Sequence, residues 1–134
     1  MKFILAIALF LFAQGSSADT ESELKESVLN NLQATEAEDI TKVMSTMHSQ
    51  SPVYVATMQV LNQMFPAYDL KYTLLNYVYI GTDGEYAYAK VKHETKKVSG
   101  PAFQNNELEA LQVFKRESGA WKLWNQANLS ITYQ

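Results

Sequence analysis

Apolar and polar residues alternate along this chain with two different periods, and the change falls near Tyr68. Before it, apolar residues recur every three to four positions. Leu24, Val28 and Leu32 stand at i, i+4 and i+8 in a stretch from Glu21 to Ala34 otherwise rich in Glu and Lys, which predicts an amphipathic helix. Asp39 is placed to cap a second helix over Ile40 to Met47, with Ile40, Val43, Met44 and Met47 on one stripe. Ser51 and Pro52 restart the chain as N-cap and first helical residue. Tyr54, Met58, Leu61 and Phe65 then continue one apolar face until Pro66 ends it. The methionines in these stripes are expected to fill core gaps.

After Tyr68 the period is two. Leu70, Tyr72, Leu74, Val78 and Ile80 alternate with Lys71, Thr73, Tyr77 and Tyr79, and Thr82-Asp83-Gly84 reads as a turn. Glu85 to Val98 is a second long strand, with Ala87, Ala89 and Val91 on one side and Tyr86, Tyr88, Lys90 and Lys92 on the other. Ser99-Gly100-Pro101 breaks it, and Phe103 to Asn106 is expected to be a loop. The chain closes on a hairpin, Leu108 to Tyr133, turning at Glu117-Ser118-Gly119. In its last strand Trp121, Leu123, Ala127, Leu129 and Ile131 alternate with polar residues. Helices followed by strands predict an α+β domain: N-terminal helices packed on a curved antiparallel four-stranded sheet.

The first residues change the picture of the ends. Lys2, the apolar run Phe3 to Ala13 and the small residues Ser16-Ser17-Ala18 read as a secretory signal, too short to cross a bilayer comfortably. The expected organisation is therefore residues 1–18 as signal peptide and 19–134 as a single domain, secreted or periplasmic, with no membrane attachment after cleavage. The chain carries a formal charge of −3 and no basic cluster larger than Lys96-Lys97, so nucleic acid is not an expected partner. It has no cysteine, which excludes a disulfide framework and thiolate chemistry.

Three features resemble the nuclear transport factor 2-like superfamily, which includes the SnoaL-like and ketosteroid isomerase-like proteins. They are the break before Asp39, Tyr68-Asp69-Leu70-Lys71-Tyr72 leading into the first long strand, and the closing Lys115-Arg116-Glu117-Ser118-Gly119-Ala120-Trp121-Lys122-Leu123. Lys96 to Phe103 is similar to a subset of uncharacterised bacterial members. The resemblance implies a cone-shaped, cystatin-like fold, a ligand pocket between the helices and the concave sheet face, and dimers formed through the sheet. The fold hosts isomerases, dehydratases, binding modules and oligomerisation domains, so it does not by itself fix an activity.

Polar residues on the apolar parity are the candidates for that pocket. Parity puts Asn76 with Leu74 and Val78, His93 with Ala89 and Val91, and Asn125 with Leu123 and Ala127, while Tyr54 heads the third helix's apolar stripe. Tyr54, Asn76, His93 and Asn125 are thus the expected ligand-binding residues, against the alternative that each is satisfied within the fold. His93 is the candidate general base. Glu94 falls on the outer parity, and the facing of Glu109 and Gln112 depends on the hairpin register, which the sequence leaves open. His48 and His93 without an inward carboxylate pair do not make a metal site, and no cofactor is expected. Tyr77, Tyr79, Tyr86, Tyr88 and Trp124 take the opposite parity and are expected to form a homodimer interface. Asn128-Leu129-Ser130 is a glycosylation sequon if the chain passes through a eukaryotic secretory pathway. The expected function is an exported domain that binds a small apolar molecule or acts as a scaffold. The alternatives are a ketosteroid isomerase-like isomerase or lyase using His93, and a purely structural oligomerisation domain.

Overall fold

The computed structural model describes residues 17–134. Within them, three helices precede four strands: α1 (Ser17–Glu36), α2 (Ile40–Ser45), α3 (Tyr54–Ala67), β1 (Asp69–Asp83), β2 (Tyr86–Ser99), β3 (Asn106–Glu117) and β4 (Ala120–Tyr133). The sheet is wholly antiparallel in the order β1-β2-β3-β4. Residues 1–16 of the expected signal peptide lie outside the described residues, and its last two, Ser17 and Ala18, open α1. No helix among the described residues is long and apolar enough to cross a membrane.

Local chemistry sets the helix ends. The Asp39 carboxylate accepts from Lys42 N–H at 3.0 Å and caps α2 as its position predicts. Ser51 does not cap α3 directly. Its hydroxyl accepts from Val53 N–H and donates to Trp124 O, and the helix begins at Tyr54. Pro66 sits inside the last turn of α3, which runs one residue beyond it. Gly100 is required for sterics: at φ +123°, a Cβ there would lie 2.6 Å from Ala67 O.

Register decides which face each strand residue takes. Four cross-strand rows point toward the helices: Leu74–His93–Leu108–Ile131, Tyr77–Val91–Ala110–Asn128, Tyr79–Ala89–Gln112–Gln126, and Thr82–Ala87–Phe114–Leu123. Leu24 and Val28 of α1 pack on these rows, against Ala87, Ala89, Val91, Phe114 and Trp121. Ala87 and Ala89 are fully buried, and their small side chains let α1 sit close to the sheet. Burying a residue such as Leu24 or Val28 is worth about 1.5–3 kcal/mol.

A second cluster, Ala34, Val43, Met44, Met47 and Leu61, joins α1, α2 and α3, with Met58 beside it, so the methionines do fill core. The connection from α2 to α3 runs along the outer edge of β4. His48 N–H donates to Leu123 O, and Leu123 N–H donates to Thr46 O, both at 2.9 Å. Ser49 holds the Glu117 carboxylate through its N–H and hydroxyl. These bonds keep that carboxyl below its usual range, with smaller help from the charges at His48 and Lys122.

The outermost strands depart from strict alternation. Leu74 pairs with His93 but Asn76 pairs with Lys92, so Leu75 is an extra residue in β1, and a second irregularity falls at Ile80. In β4, irregularities fall at Trp124 and Leu129. Each extra residue reverses the parity beyond it. Val78, turned outward in this way, and the irregular residues Ile80 and Leu129, all expected in the core, are 41–56% exposed, while Ile131 keeps its inward row and is 48% exposed near the end of β4.

Candidate functional site

A cavity of about 350 Å³ opens between the three helices and β4. α1 supplies Asn31 and Thr35, α2 supplies Val43, α3 supplies Thr57 and Leu61, and β4 supplies Leu123, Asn125 and Gln126. Met47 and Val53, at the two ends of the α2–α3 connection, complete the wall. Two of the helical polar groups are bonded within the fold: Asn31 Nδ2 donates to Thr46 Oγ1 at 2.8 Å, and the Thr35 hydroxyl donates to Asn31 O at 2.7 Å. On the sheet side three carboxamides run in series. Gln112, 9% exposed, donates to Gln126 Oε1 at 3.2 Å, and Gln126 Nε2 donates to Asn128 Oδ1 at 3.0 Å.

Farther along the concave face, His93 lies between Leu74 and Leu108, with the Tyr72 ring 6.1 Å away. Its Nδ1 is buried without a hydrogen-bond partner among the described residues. Burial pushes the imidazole below its ordinary 6.5. Tyr72 is pushed up by burial and then by the Glu38 charge. Tyr77 is pushed up to about 12 by burial first, and its hydroxyl donates to Glu21 O in α1 at 2.9 Å. Among the described residues no group of three or more His, Asp or Glu side chains comes together as a metal cluster.

The depressed His93 value makes a stability prediction. The unfolded chain binds a proton near the ordinary 6.5 and the folded chain only at lower pH. The stability present above that pH is therefore lost as pH falls through the folded value. Urea midpoints should drop between about pH 7.5 and pH 5 in the wild type and drop less in His93→Leu. Glu94 and Glu117, both held below 4.5, act mainly in a lower range. Equal slopes in the two proteins would remove the buried imidazole as their cause.

Comparison with known families gives one match over this fold. The model described as the anti-sigma-I factor RsgI9, C-terminal domain, matches residues 26–134. The chain belongs to this family. No curated protein matches it. Among solved structures it is similar to an NTF2-like protein of unknown function from Pseudomonas putida, at TM-score 0.66 and 17% identity over 84% of this chain and 87% of that one. A protein of unknown function with a cystatin-like fold from Nostoc punctiforme gives 0.66 and 13%, over 84% and 91%. A ketosteroid isomerase-like protein from Erwinia carotovora atroseptica gives 0.62 and 15%, over 84% and 98%. The RsgI9 C-terminal domain fold seen here is thus nuclear transport factor 2-like, as the sequence resemblance implied.

Within that fold the candidate residues separate. His93 faces inward, as its parity predicts. Asn76 does not: the extra residue at Leu75 turns it outward beside Lys92, where its Oδ1 accepts from Tyr77 N–H at 3.0 Å. The same shift turns Tyr77 and Tyr79 inward, against the core, so they are not outer-face residues. Asn125 borders the cavity, yet its Cα pairs with Val113 on the outer face, and its Oδ1 accepts from Gln126 N–H at 2.8 Å. Tyr54 packs with Ile40, Met44 and Met58 and borders a different hollow, which also includes Glu117. Gln112 faces inward and Glu109 outward. Gln126, assigned to the polar side by its spacing, reaches the cavity because the irregularity at Trp124 reverses β4. Tyr86, Tyr88 and Trp124 stay outside: the Trp124 ring lies 6.3 Å from Tyr86, under Lys115 Nζ at 4.6 Å, and edge-on to His48 at 5.1 Å.

Proposed function

We propose that this domain is an exported small-molecule-binding or scaffolding module that works as a homodimer. The observation that carries the reading is the cavity of about 350 Å³ between the helices and β4. It falls within the roughly 300–1,000 Å³ of small-molecule sites, where a filled structural domain would leave little room. The family is named for the C-terminal domain of an anti-sigma factor. That name supports a sensing role, in which occupancy of the cavity is passed to a protein partner. Export rests on the leader at residues 1–18 and places the domain in a secreted or periplasmic setting, free of the membrane after cleavage.

A second reading, a ketosteroid isomerase-like isomerase or lyase with His93 as general base, is favoured by the buried, unpartnered Nδ1. A ketosteroid isomerase-like site places carboxyl groups in the pocket. The four inner rows carry no carboxylate, so binding is the stronger reading.

Native mass spectrometry of the protein purified from its own host tests the proposal. The expected spectrum shows a dimer of chains beginning at Asp19, each carrying a small-molecule mass that Thr57→Trp, which fills the cavity, removes. A wild-type chain that carries no added mass, and a Thr57→Trp chain that is more stable for having its void filled, would mark the cavity as packing.

A further inference from the structure

The cavity is uncharged on every side. Its described lining is apolar or carries neutral amides and hydroxyls, and the four inner rows of the sheet that lead to it hold neither a carboxylate nor a lysine or arginine. An ionised ligand entering here would lose hydration and meet no counter-charge, a cost that neutral walls do not offset. On α1, Asn31 Nδ2 donates to Thr46 Oγ1 and the Thr35 hydroxyl donates to the Asn31 backbone O, so each side chain gives a donor within the fold. Gln126 is held at both ends of its amide. It accepts from Gln112 and donates to Asn128, and a carboxamide has two N–H donors and two oxygen lone pairs. One donor and one acceptor of Gln126 therefore remain unspent at the cavity wall. Gln112 and Asn128 hold the amide plane from both sides.

We propose that the ligand of this cavity is an uncharged molecule with an apolar body and an adjacent donor and acceptor, that is, a carboxamide or lactam. The inference rests on the cavity being a ligand site and adds the chemical class. A wholly apolar ligand would cover Gln126 and strand its remaining groups, which costs free energy. A carboxamide returns both hydrogen bonds. A volume of about 350 Å³ is at the small end for such sites, so a body of one ring suits it.

The test uses the full chain and four probes built on one ring: benzamide, benzoate, benzylamine and toluene. Binding is followed by NMR at pH 7 through the Gln126 side-chain amide and the methyl groups of Leu61 and Leu123. Benzamide is expected to shift all three, and Gln126→Leu is expected to weaken benzamide at least tenfold while binding toluene at least as tightly as the wild type, because no amide is then stranded. Gln126 is exposed, and the variant's unaltered circular dichroism checks that it folds. Benzoate or benzylamine binding as tightly as benzamide would overturn the uncharged class. Benzamide binding that Gln126→Leu leaves intact would overturn the role of the amide series. Toluene binding without benzamide binding would overturn the proposal and leave the cavity as a ligand site. No response to any probe at about 10 mM would overturn both.

Discussion

Phe114→Ala is expected to lower the unfolding free energy by about 3–5 kcal/mol, the cost of deleting a buried ring whose space does not close. Phe114 is 2% exposed and sits in the row Thr82–Ala87–Phe114–Leu123, under Leu24 and Val28 of α1 and beside Trp121. The two alanines on neighbouring β2 are already fully buried and have no side chain to swing into the void. The backbone around Phe114 is fixed by ladders on both sides, so collapse is limited. Against a total of about 5–15 kcal/mol for a domain, the loss is a large share and lowers Tm by upwards of about 10 °C. Leu129→Ala is the control. That side chain is 53% exposed, and its truncation should cost less than about 1 kcal/mol. Urea unfolding of the two variants decides the matter. A loss below about 1 kcal/mol for Phe114→Ala would mean that the sheet does not seal its core through this row.

The fold was legible in the sequence because helix and strand periods are separated along the chain. Facing within the sheet was legible only where alternation is unbroken. β2 keeps it from Tyr86 to Thr95, so Ala87, Ala89, Val91 and His93 were placed inward from spacing alone. β1 and β4 each hold extra residues, and an extra residue leaves no mark on a hydrophobic pattern made of Leu, Tyr and Val on both faces. The two misplaced asparagines share a local device. Asn76 and Asn125 each follow such a residue, and each accepts from the N–H of the next residue. Asparagine is disfavoured mid-strand because it competes for backbone bonds in this way. An Asn in the centre of a long strand was therefore a signal for a break in parity rather than for an inward polar group. The cavity itself was not legible. Asn31, Thr57 and Gln126 belong to three elements and meet only when these pack.

The outer sheet face is expected to hold two copies together, and Val113→Lys is expected to separate them. With Tyr77 and Tyr79 turned inward, the apolar centre of this face is the pair of rows Val78–Lys90–Leu111–Ala127 and Gly81–Tyr88–Val113–Asn125. Trp124 and Tyr86 flank it on one side under Lys115. On the other side Lys92 pairs with Glu107 at 3.3 Å, with Glu109 and Glu94 nearby on the same face. A second copy turned by a twofold axis meets a surface of mixed sign, so no large repulsion opposes it. Four strands about 4.8 Å apart, paired over some nine residues, project on the order of 600 Å². That is comparable with the ~800 Å² of accessible surface a stable partner buries. Val113 lies at the middle of the four strands, where a lysine would face Lys90 and Lys115 of its own chain and their twofold mates. A buried anchor is commonly worth about 2 kcal/mol, and an unpaired charge at the same place costs at least that much, roughly thirtyfold in Kd. Trp124→Ala should weaken the dimer too, but less, because that ring also packs on His48 within its own chain. Sedimentation equilibrium should find wild-type dimer at concentrations of a few micromolar, where Val113→Lys should be largely monomer. A wild-type chain that is still monomeric at about 100 μM, where an interface worth roughly 7 kcal/mol would be well populated, would leave Tyr88 and Val113 as ordinary surface residues of a curved sheet.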